Sequence, residues 1–213
     1  MVPGRPRRRS LIQAAGAGVI AALLPERVAR ARELDADERE RLAHGELVRV
    51  PLDYTLAKGD YFGGISYALI TATPTEVMAT LHDPAAYSSI LPWTMEARVV
   101  GKQGHDTKVF FKQGGSLGSA SYVLVVRRES QSLLRFWMDP EEPHEIGDCW
   151  GYFRVQPWGA RSTLLTYAAL VQLDFGLLKL FTETIRKYAL TTPALVRAYV
   201  QRHRSTASGQ RGE

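Results

Sequence analysis

The densest group of side chains capable of chemistry in this sequence lies between Asp139 and Asp148. This segment, DPEEPHEIGD, places five carboxylates around His144. Carboxylates beside an imidazole can ligate a divalent metal or exchange protons with a substrate. Their spacing matches no metal-binding motif, and Pro140 and Pro143 favour a rigid loop. We interpret the segment as a structural loop at the rim of a pocket, with metal binding or acid-base catalysis as the alternative.

The single cysteine, Cys149, is the other candidate for reactivity. No neighbouring residues in the sequence make a convincing Cys/His pair, so a buried strand cysteine is the preferred interpretation over a nucleophile. The sequence also contains no glycine-rich phosphate loop, no G-x-S-x-G elbow and no H-E-x-x-H pair. We therefore assign no catalytic residue, no metal site and no cofactor.

Aromatic side chains with polar tips point instead to binding of a large apolar molecule. Rings that carry a hydroxyl or an indole N–H suit a pocket for an apolar ligand with a few polar groups. Core packing is the alternative for each of them, and the orientation of Trp150, Tyr152 and Arg154 on their strand is ambiguous. The candidate ligand-binding residues are Trp93, Phe111, Tyr122, Phe136, Trp150, Tyr152, Arg154, Tyr167, Phe181, Ile185 and Tyr188.

A helical stretch from 174 to 201 is the element around which the rest of the chain can pack. Its apolar stripe, with Thr192 filling one gap, consists of Leu178, Phe181, Ile185, Tyr188, Leu195 and Tyr199. The opposite side carries Lys179, Glu183, Arg186, Lys187 and Arg197. Pro193 predicts a kink, or a restart capped by Thr192.

Before this helix, hydrophobic residues recur at the two-residue spacing that is typical of strands. A first strand, Tyr61 to Thr71, is followed by two short helices beginning at Pro74 and Ala85. Six further strands are predicted at 95–101, 108–113, 119–128, 133–138, 148–156 and 162–173. On the strand at 133–138, the side chains expected to face the helix are Leu134, Phe136 and Met138. On the strand at 119–128 they are Tyr122, Leu124 and Val126. This order predicts an α+β fold with an antiparallel sheet.

Length and charge limit the remaining possibilities. The 213 residues, 45% of them hydrophobic, suit one well-cored domain. Residues 1–31 contain six arginines and one acid, so they carry +5; since the whole chain carries +5, residues 32–213 sum to zero. A neutral body has no global field that attracts phosphates, which argues against a nucleic-acid partner.

The leader resembles a twin-arginine export signal. Arg8 and Arg9 precede an apolar run from Leu11 to Leu24, and Ala29-Arg30-Ala31 offers a small-x-small cleavage pattern. We predict cleavage after Ala31 and a periplasmic or secreted protein; an uncleaved anchor or a disordered basic tail is the alternative. The lone cysteine excludes an intramolecular disulfide in the exported chain.

The predicted domains follow from these signals. Residues 1–31 form the signal peptide, and 32–59 form an extended lead-in with a short helix capped by Asp35 and Glu38. Residues 60–203 form the ligand-binding domain, and 204–213 form a disordered tail.

One segment resembles a known superfamily. The segment TPTEVMATLHDPAAYSSILPW, residues 73–93, resembles the corresponding segment of the START-like helix-grip proteins. The positions that carry the resemblance are Val77, Leu81, Asp83, Tyr87, Leu91 and Pro92. These include lipid-transfer domains, coenzyme Q-binding proteins and polyketide cyclase/aromatases. The resemblance implies a curved antiparallel sheet that grips a long C-terminal helix around an apolar cavity, with two short helices between the first and second strands.

The resemblance and the aromatic residues together favour an exported carrier of a lipid, sterol or isoprenoid. A polyketide cyclase/aromatase-like enzyme is the alternative, with Arg154, Tyr152 or His144 polarising a carbonyl. A third class is an envelope module whose groove receives a peptide or a membrane surface. Transient membrane contact is compatible with the carrier, and the sequence specifies neither the ligand nor an oligomeric state.

Overall fold

Eight antiparallel strands form one sheet within the described residues of the computed structural model, which are 33–56, 59–115, 118–173 and 182–209. The strands are β1 Val48–Leu56, β2 Gly59–Ile70, β3 Thr94–Gln103, β4 Asp106–Gly115, β5 Gly118–Arg128, β6 Leu133–Met138, β7 Asp148–Trp158 and β8 Ser162–Gln172. Their order across the sheet is β1-β2-β8-β7-β6-β5-β4-β3. The predicted signal peptide, Leu178 and Phe181 lie outside the described residues.

Five α-helices accompany the strands in the same part of the chain. They are α1 Ala36–Ala43, α2 Pro74–Leu81, α3 Tyr87–Ile90, α4 Thr182–Ala189 and α5 Thr192–Gly209, with a 3-10 turn at Pro84–Ala86 before α3. Asp35 with Glu38 and Thr73 with Glu76 form capping boxes at the starts of α1 and α2, because each side chain bonds the other residue's backbone N–H. The predicted pair of short helices is therefore confirmed, between β2 and β3.

The main core lies on one face of the sheet, which we call the concave face. Helix α5 packs against β2, α2 and α3, and its Val196 and Val200 join a cluster with Leu165 of β8 and Val77 of α2. Since side chains alternate along a strand, the register places Tyr122, Leu124 and Val126 on this face together with Phe136. The predicted orientation of both strands is confirmed.

The lead-in predicted at 32–59 contains a strand, β1, that the sequence did not predict. Val48–Leu56 pairs with β2 along its whole length and forms one edge of the sheet. Its second face is largely exposed, so its hydrophobic pattern is weak, and Pro51 is tolerated because the strand is at an edge. Gly64 permits this packing: a Cβ there would lie 2.3 Å from the Val50 carbonyl oxygen and 3.1 Å from the Leu190 side chain.

The C-terminal helical region is broken, as Pro193 predicted. Helix α4 ends at Ala189 and α5 begins at Thr192. The Thr192 hydroxyl donates to the Ala189 carbonyl at 2.8 Å, so it bonds the preceding helix rather than capping the new one as expected. The predicted stripe is not followed on α4: Tyr188 is exposed, and Arg186, predicted on the outer side, is buried where it pairs with Asp53.

The end of the chain also differs from the prediction of a disordered tail from residue 204. Helix α5 continues to Gly209. Among the helices of the described ranges, none has the length and apolarity required to cross a membrane.

Candidate ligand-binding site

The central strands leave a partly accessible apolar area on the concave face, which we call the concave patch. Seven side chains form it, and each keeps 5–7% of its surface accessible: Tyr122, Leu124, Val126, Phe136, Met138, Cys149 and Tyr167. They belong to β5, β6, β7 and β8, whose register brings them side by side. The ring of Phe136 lies 6.2 Å from that of Tyr167, measured between centroids.

Other residues of the same core, toward α2 and α3, are covered almost completely. Ile70, Val109, Phe111, Leu134, Val155 and Leu165 keep only 0–1% of their surface accessible. Phe111 stacks on Tyr87 of α3 at 5.6 Å, and α2 packs on β7 and β8. The residues beneath α2 and α3 are therefore covered more completely than the seven residues of the concave patch.

Three polar groups face the concave patch. The Tyr122 hydroxyl donates to the Gln113 side-chain oxygen, and the Tyr167 hydroxyl hydrogen-bonds with the Thr192 side chain. Burial raises the pKa of both phenols well above their ordinary value, and it raises the pKa of the Cys149 thiol to about 12. All three groups are therefore neutral at physiological pH, so they can hydrogen-bond an oxygen without presenting a charge.

A surface cleft of about 370 Å³ opens beside the patch. It is lined by Asp53, Tyr54, Thr55, Asp60, Tyr61, Phe62, Leu173 and Thr182. Phe62 connects it to the patch, because the register aligns Phe62 with Val171 of β8 and Val171 with Cys149 of β7. A cleft of this volume is within the range of small-molecule sites.

A buried cation lies next to this cleft. Arg186 of α4 is 8% exposed and pairs with Asp53 of β1 through two hydrogen bonds, of 2.5 and 3.2 Å. Glu183 approaches the same guanidinium at 3.3 Å. Sequence reasoning missed this pair, since its partners are 133 residues apart and neither has a local motif.

The other side of α4 is held by an aromatic contact. Tyr188 and Trp93 are both 43% exposed, and their ring centroids are 4.3 Å apart. Trp93 has a φ of 57° and is the one non-glycine residue with positive φ in the described part of the chain. Such a conformation is strained for a bulky residue. Trp93, Tyr188 and the half-buried Ile185 therefore lie around α4, away from the centre of the patch.

Of the predicted ligand residues that the structure describes, only Tyr122, Phe136 and Tyr167 meet in the concave patch. Phe111 lies on the same face, under α3. Trp150, Tyr152 and Arg154 lie on the opposite face, because they alternate with Cys149 and Phe153 of the concave core. This corrects their assignment to a common pocket. Both faces of β7 are buried, so its hydrophobic pattern did not reveal the orientation. Phe181 lies outside the described residues.

The patch also contains Leu124, Val126, Met138 and Cys149, which sequence reasoning did not select as ligand-binding residues, although it placed the first three on the side facing the helix. The period-two alternation with Tyr122 and Phe136 was a sufficient signal for the first three.

The acid-rich segment before β7 is engaged in structural contacts. Lys108 pairs with Asp139 at 2.7 Å and with Glu142 at 3.2 Å, and the bond to Asp139 raises the pKa of the lysine. The Glu145 side chain accepts from the Ser121 backbone N–H, and His144 hydrogen-bonds the Ile146 carbonyl at 2.7 Å. No group of three or more potential ligands for a metal occurs among the residues the structure describes.

Solved structures with the same architecture span most of this chain. A STAR-related lipid transfer protein fragment from Xanthomonas axonopodis is 12% identical, with a TM-score of 0.59 over 73% of this chain and 93% of that chain. Human STARD10 is 11% identical, with a TM-score of 0.57 over 84% of each chain. The Zhui aromatase/cyclase from Streptomyces sp. R1128 is 12% identical, with a TM-score of 0.54 over 74% of this chain and 95% of that chain.

No protein-family model and no curated protein matches the sequence. The similarity is therefore one of fold: an antiparallel sheet curved around a C-terminal helix, with two short helices inserted after the second strand. This chain has the START-like helix-grip fold.

Proposed function

We propose that this protein binds a hydrophobic small molecule, of the lipid, sterol or isoprenoid class, against the concave patch and carries or shields it. The observation that supports the proposal most strongly is the centre of the concave face, whose side chains keep 5–7% of their surface accessible while those beneath α2 and α3 keep 0–1%. Lipid-transfer proteins among the structures with this fold agree with it.

The energetics favour an apolar ligand with a small polar group. Burying 300 Å² of apolar ligand surface contributes roughly 7 kcal/mol at about 25 cal/mol per Å², before the entropic cost of association. Tyr122 and Tyr167 are neutral hydrogen-bonding groups that orient one oxygen of the ligand. A charged head group would instead lie at the cleft, which is lined by the exposed Asp53 carboxylate.

Native mass spectrometry of the protein purified gently from an exporting host tests this function. We expect a stoichiometric apolar adduct that organic extraction releases and identifies. The Phe136→Ala variant should lose the adduct, whereas Trp150→Ala, on the opposite face, should keep it. An empty protein that also fails to take up a panel of lipids, sterols and isoprenoids would contradict the proposal.

A polyketide cyclase/aromatase-like activity is the second candidate, favoured by aromatase/cyclases among the structures with this fold. Tyr152 and Arg154 cannot serve it from the opposite face, and His144 is exposed in its loop. Tyr122 and Tyr167 would then polarise a substrate carbonyl. Conversion of a poly-β-ketone substrate that is lost in Tyr122→Phe, with binding retained, would support the enzyme over the carrier.

We propose further that the chain is exported through its twin-arginine signal and acts in the periplasm or outside the cell. Replacing Arg8 and Arg9 by lysine should leave the precursor in the cytoplasm. Immunoblotting of cell fractions measures this, and undiminished mature protein in the periplasm would exclude the twin-arginine route.

A further inference from the structure

Gln113 connects the buried concave patch to the exposed side of α4. Its side-chain oxygen accepts the Tyr122 hydroxyl. Its side-chain nitrogen donates to the Pro92 carbonyl at 3.1 Å and to the Thr94 hydroxyl at 2.9 Å. A single half-buried amide thus bonds one residue of the patch and both neighbours of Trp93.

These bonds hold Trp93 in its strained conformation. The Gly114 backbone N–H adds a third restraint by donating to the Trp93 carbonyl at 2.9 Å. A positive φ at a bulky residue persists only where surrounding contacts enforce it. The enforced conformation places the Trp93 ring against Tyr188, so the restraint on Trp93 also restrains α4.

The Tyr122 hydroxyl has one proton to donate, and Gln113 now accepts it. A ligand oxygen that takes this proton leaves the Gln113 oxygen unpaired in a half-buried position, which is unfavourable. Rotation of the amide toward water relieves this cost and breaks its bonds to Pro92 and Thr94. An apolar ligand without such an oxygen leaves the amide in place.

We propose that Gln113 is a specificity-determining residue that couples binding of a neutral, oxygen-bearing apolar ligand at Tyr122 to release of α4. The inference rests on the proposed binding function and goes beyond it, since it distinguishes ketones, esters and alcohols from hydrocarbons. By reciprocity, whatever weakens the Gln113 contacts strengthens binding of the oxygenated ligand.

The first test needs no ligand. Tyr122→Phe removes only the hydroxyl, so amide hydrogen exchange in Thr182–Ala189 should become about fivefold faster, as expected for one lost hydrogen bond. The fluorescence contribution of Trp93, obtained by difference from Trp93→Phe, should change with it. Tyr87→Phe is the matched control, since Tyr87 is also buried but donates to the Leu81 carbonyl.

Equal exchange rates in the two tyrosine variants would overturn the coupling. Thermal unfolding checks that both variants fold. Gln113→Ala gives the same readout if Tyr122→Phe does not fold.

The second test compares 9-fluorenone with fluorene, which have nearly the same shape but differ in one carbonyl oxygen. Gln113→Ala should tighten fluorenone binding about fivefold and leave fluorene binding unchanged. An equal effect on both probes would overturn the assignment of Gln113. Failure of both probes to bind would count against the proposed function, while the exchange experiment still decides the coupling.

Discussion

Asp53 at the edge of the sheet and Arg186 on α4 form a two-bond ion pair in which one partner is buried and the other is exposed. The Arg186 side chain is 9% exposed and the Asp53 side chain 69%. The Arg186 Nε has no hydrogen-bond partner among the described residues. A cation so placed depends on its carboxylate, because burial without a counter-charge is costly.

This asymmetry predicts different effects for the two halves of the pair. Asp53→Ala leaves a buried guanidinium with only the exposed Glu183 carboxylate, 3.3 Å away, and should lower the free energy of unfolding by about 1–2 kcal/mol, less than for a fully buried pair. Arg186→Met removes the charge and keeps an apolar stem, so it should be nearly neutral. Urea unfolding followed by circular dichroism measures both values.

The exposed pair between Arg98 and Glu96 provides the control. Its side chains are 57% and 48% exposed, and Glu96→Ala should change the free energy of unfolding by less than about 0.5 kcal/mol. If Arg186→Met lowers the free energy of unfolding more than Asp53→Ala does, the predicted order is contradicted, and the cation rather than the carboxylate provides the stabilisation.

Gly151 creates the room that Phe136 occupies in the concave patch. A Cβ at Gly151 would lie 2.4 Å from the Phe136 ring and 2.1 Å from the Ala168 carbonyl oxygen. Gly151→Ala should therefore destabilise the protein by about 2–3 kcal/mol, the cost of overpacking. Gly101→Ala, whose nearest neighbour is 3.7 Å away, should be tolerated in the same chemical denaturation experiment. Equal stabilities of the two variants would contradict this packing.

The sequence predicted most elements because their periods differ. Alternation placed Tyr122 and Phe136 on one face correctly, and Pro74 located the start of α2. Prediction failed for the two strands whose hydrophobic residues do not alternate clearly: β1 buries little of one face, and β7 is buried on both. The position of Arg186 depends on its pairing with Asp53, a tertiary contact that no local period encodes.

Because of Cys149, the free energy of unfolding should decrease at alkaline pH. Burial raises the pKa of its thiol to about 12, compared with 9.0 for the free group. Above pH 9 the unfolded chain loses this proton while the folded chain retains it, so stability is full below pH 9 and falls as pH rises toward 12. The expected slope is about 1.4 kcal/mol per pH unit.

The difference between the wild type and Cys149→Ala in denaturation between pH 9 and 10 measures the thiol contribution, because the buried tyrosines act alike in both proteins. Cys149→Ala should flatten the profile in this window. Rapid labelling of native Cys149 by a thiol reagent at pH 8 would contradict its burial as a neutral thiol.

Two alanines on the concave face test where the space for a ligand lies. Ala169 keeps 4% of its surface accessible next to the patch, whereas Ala68 pairs with Leu165 and has none. Ala169→Leu should fill the space and abolish the bound adduct with little change in stability. Ala68→Leu should overpack the covered end, lowering the free energy of unfolding by about 1–3 kcal/mol without displacing the ligand from the folded protein. Native mass spectrometry and urea unfolding of the two variants measure both effects. Loss of the adduct in Ala68→Leu but not in Ala169→Leu would move the site to the covered end, under α2, and contradict binding at the patch.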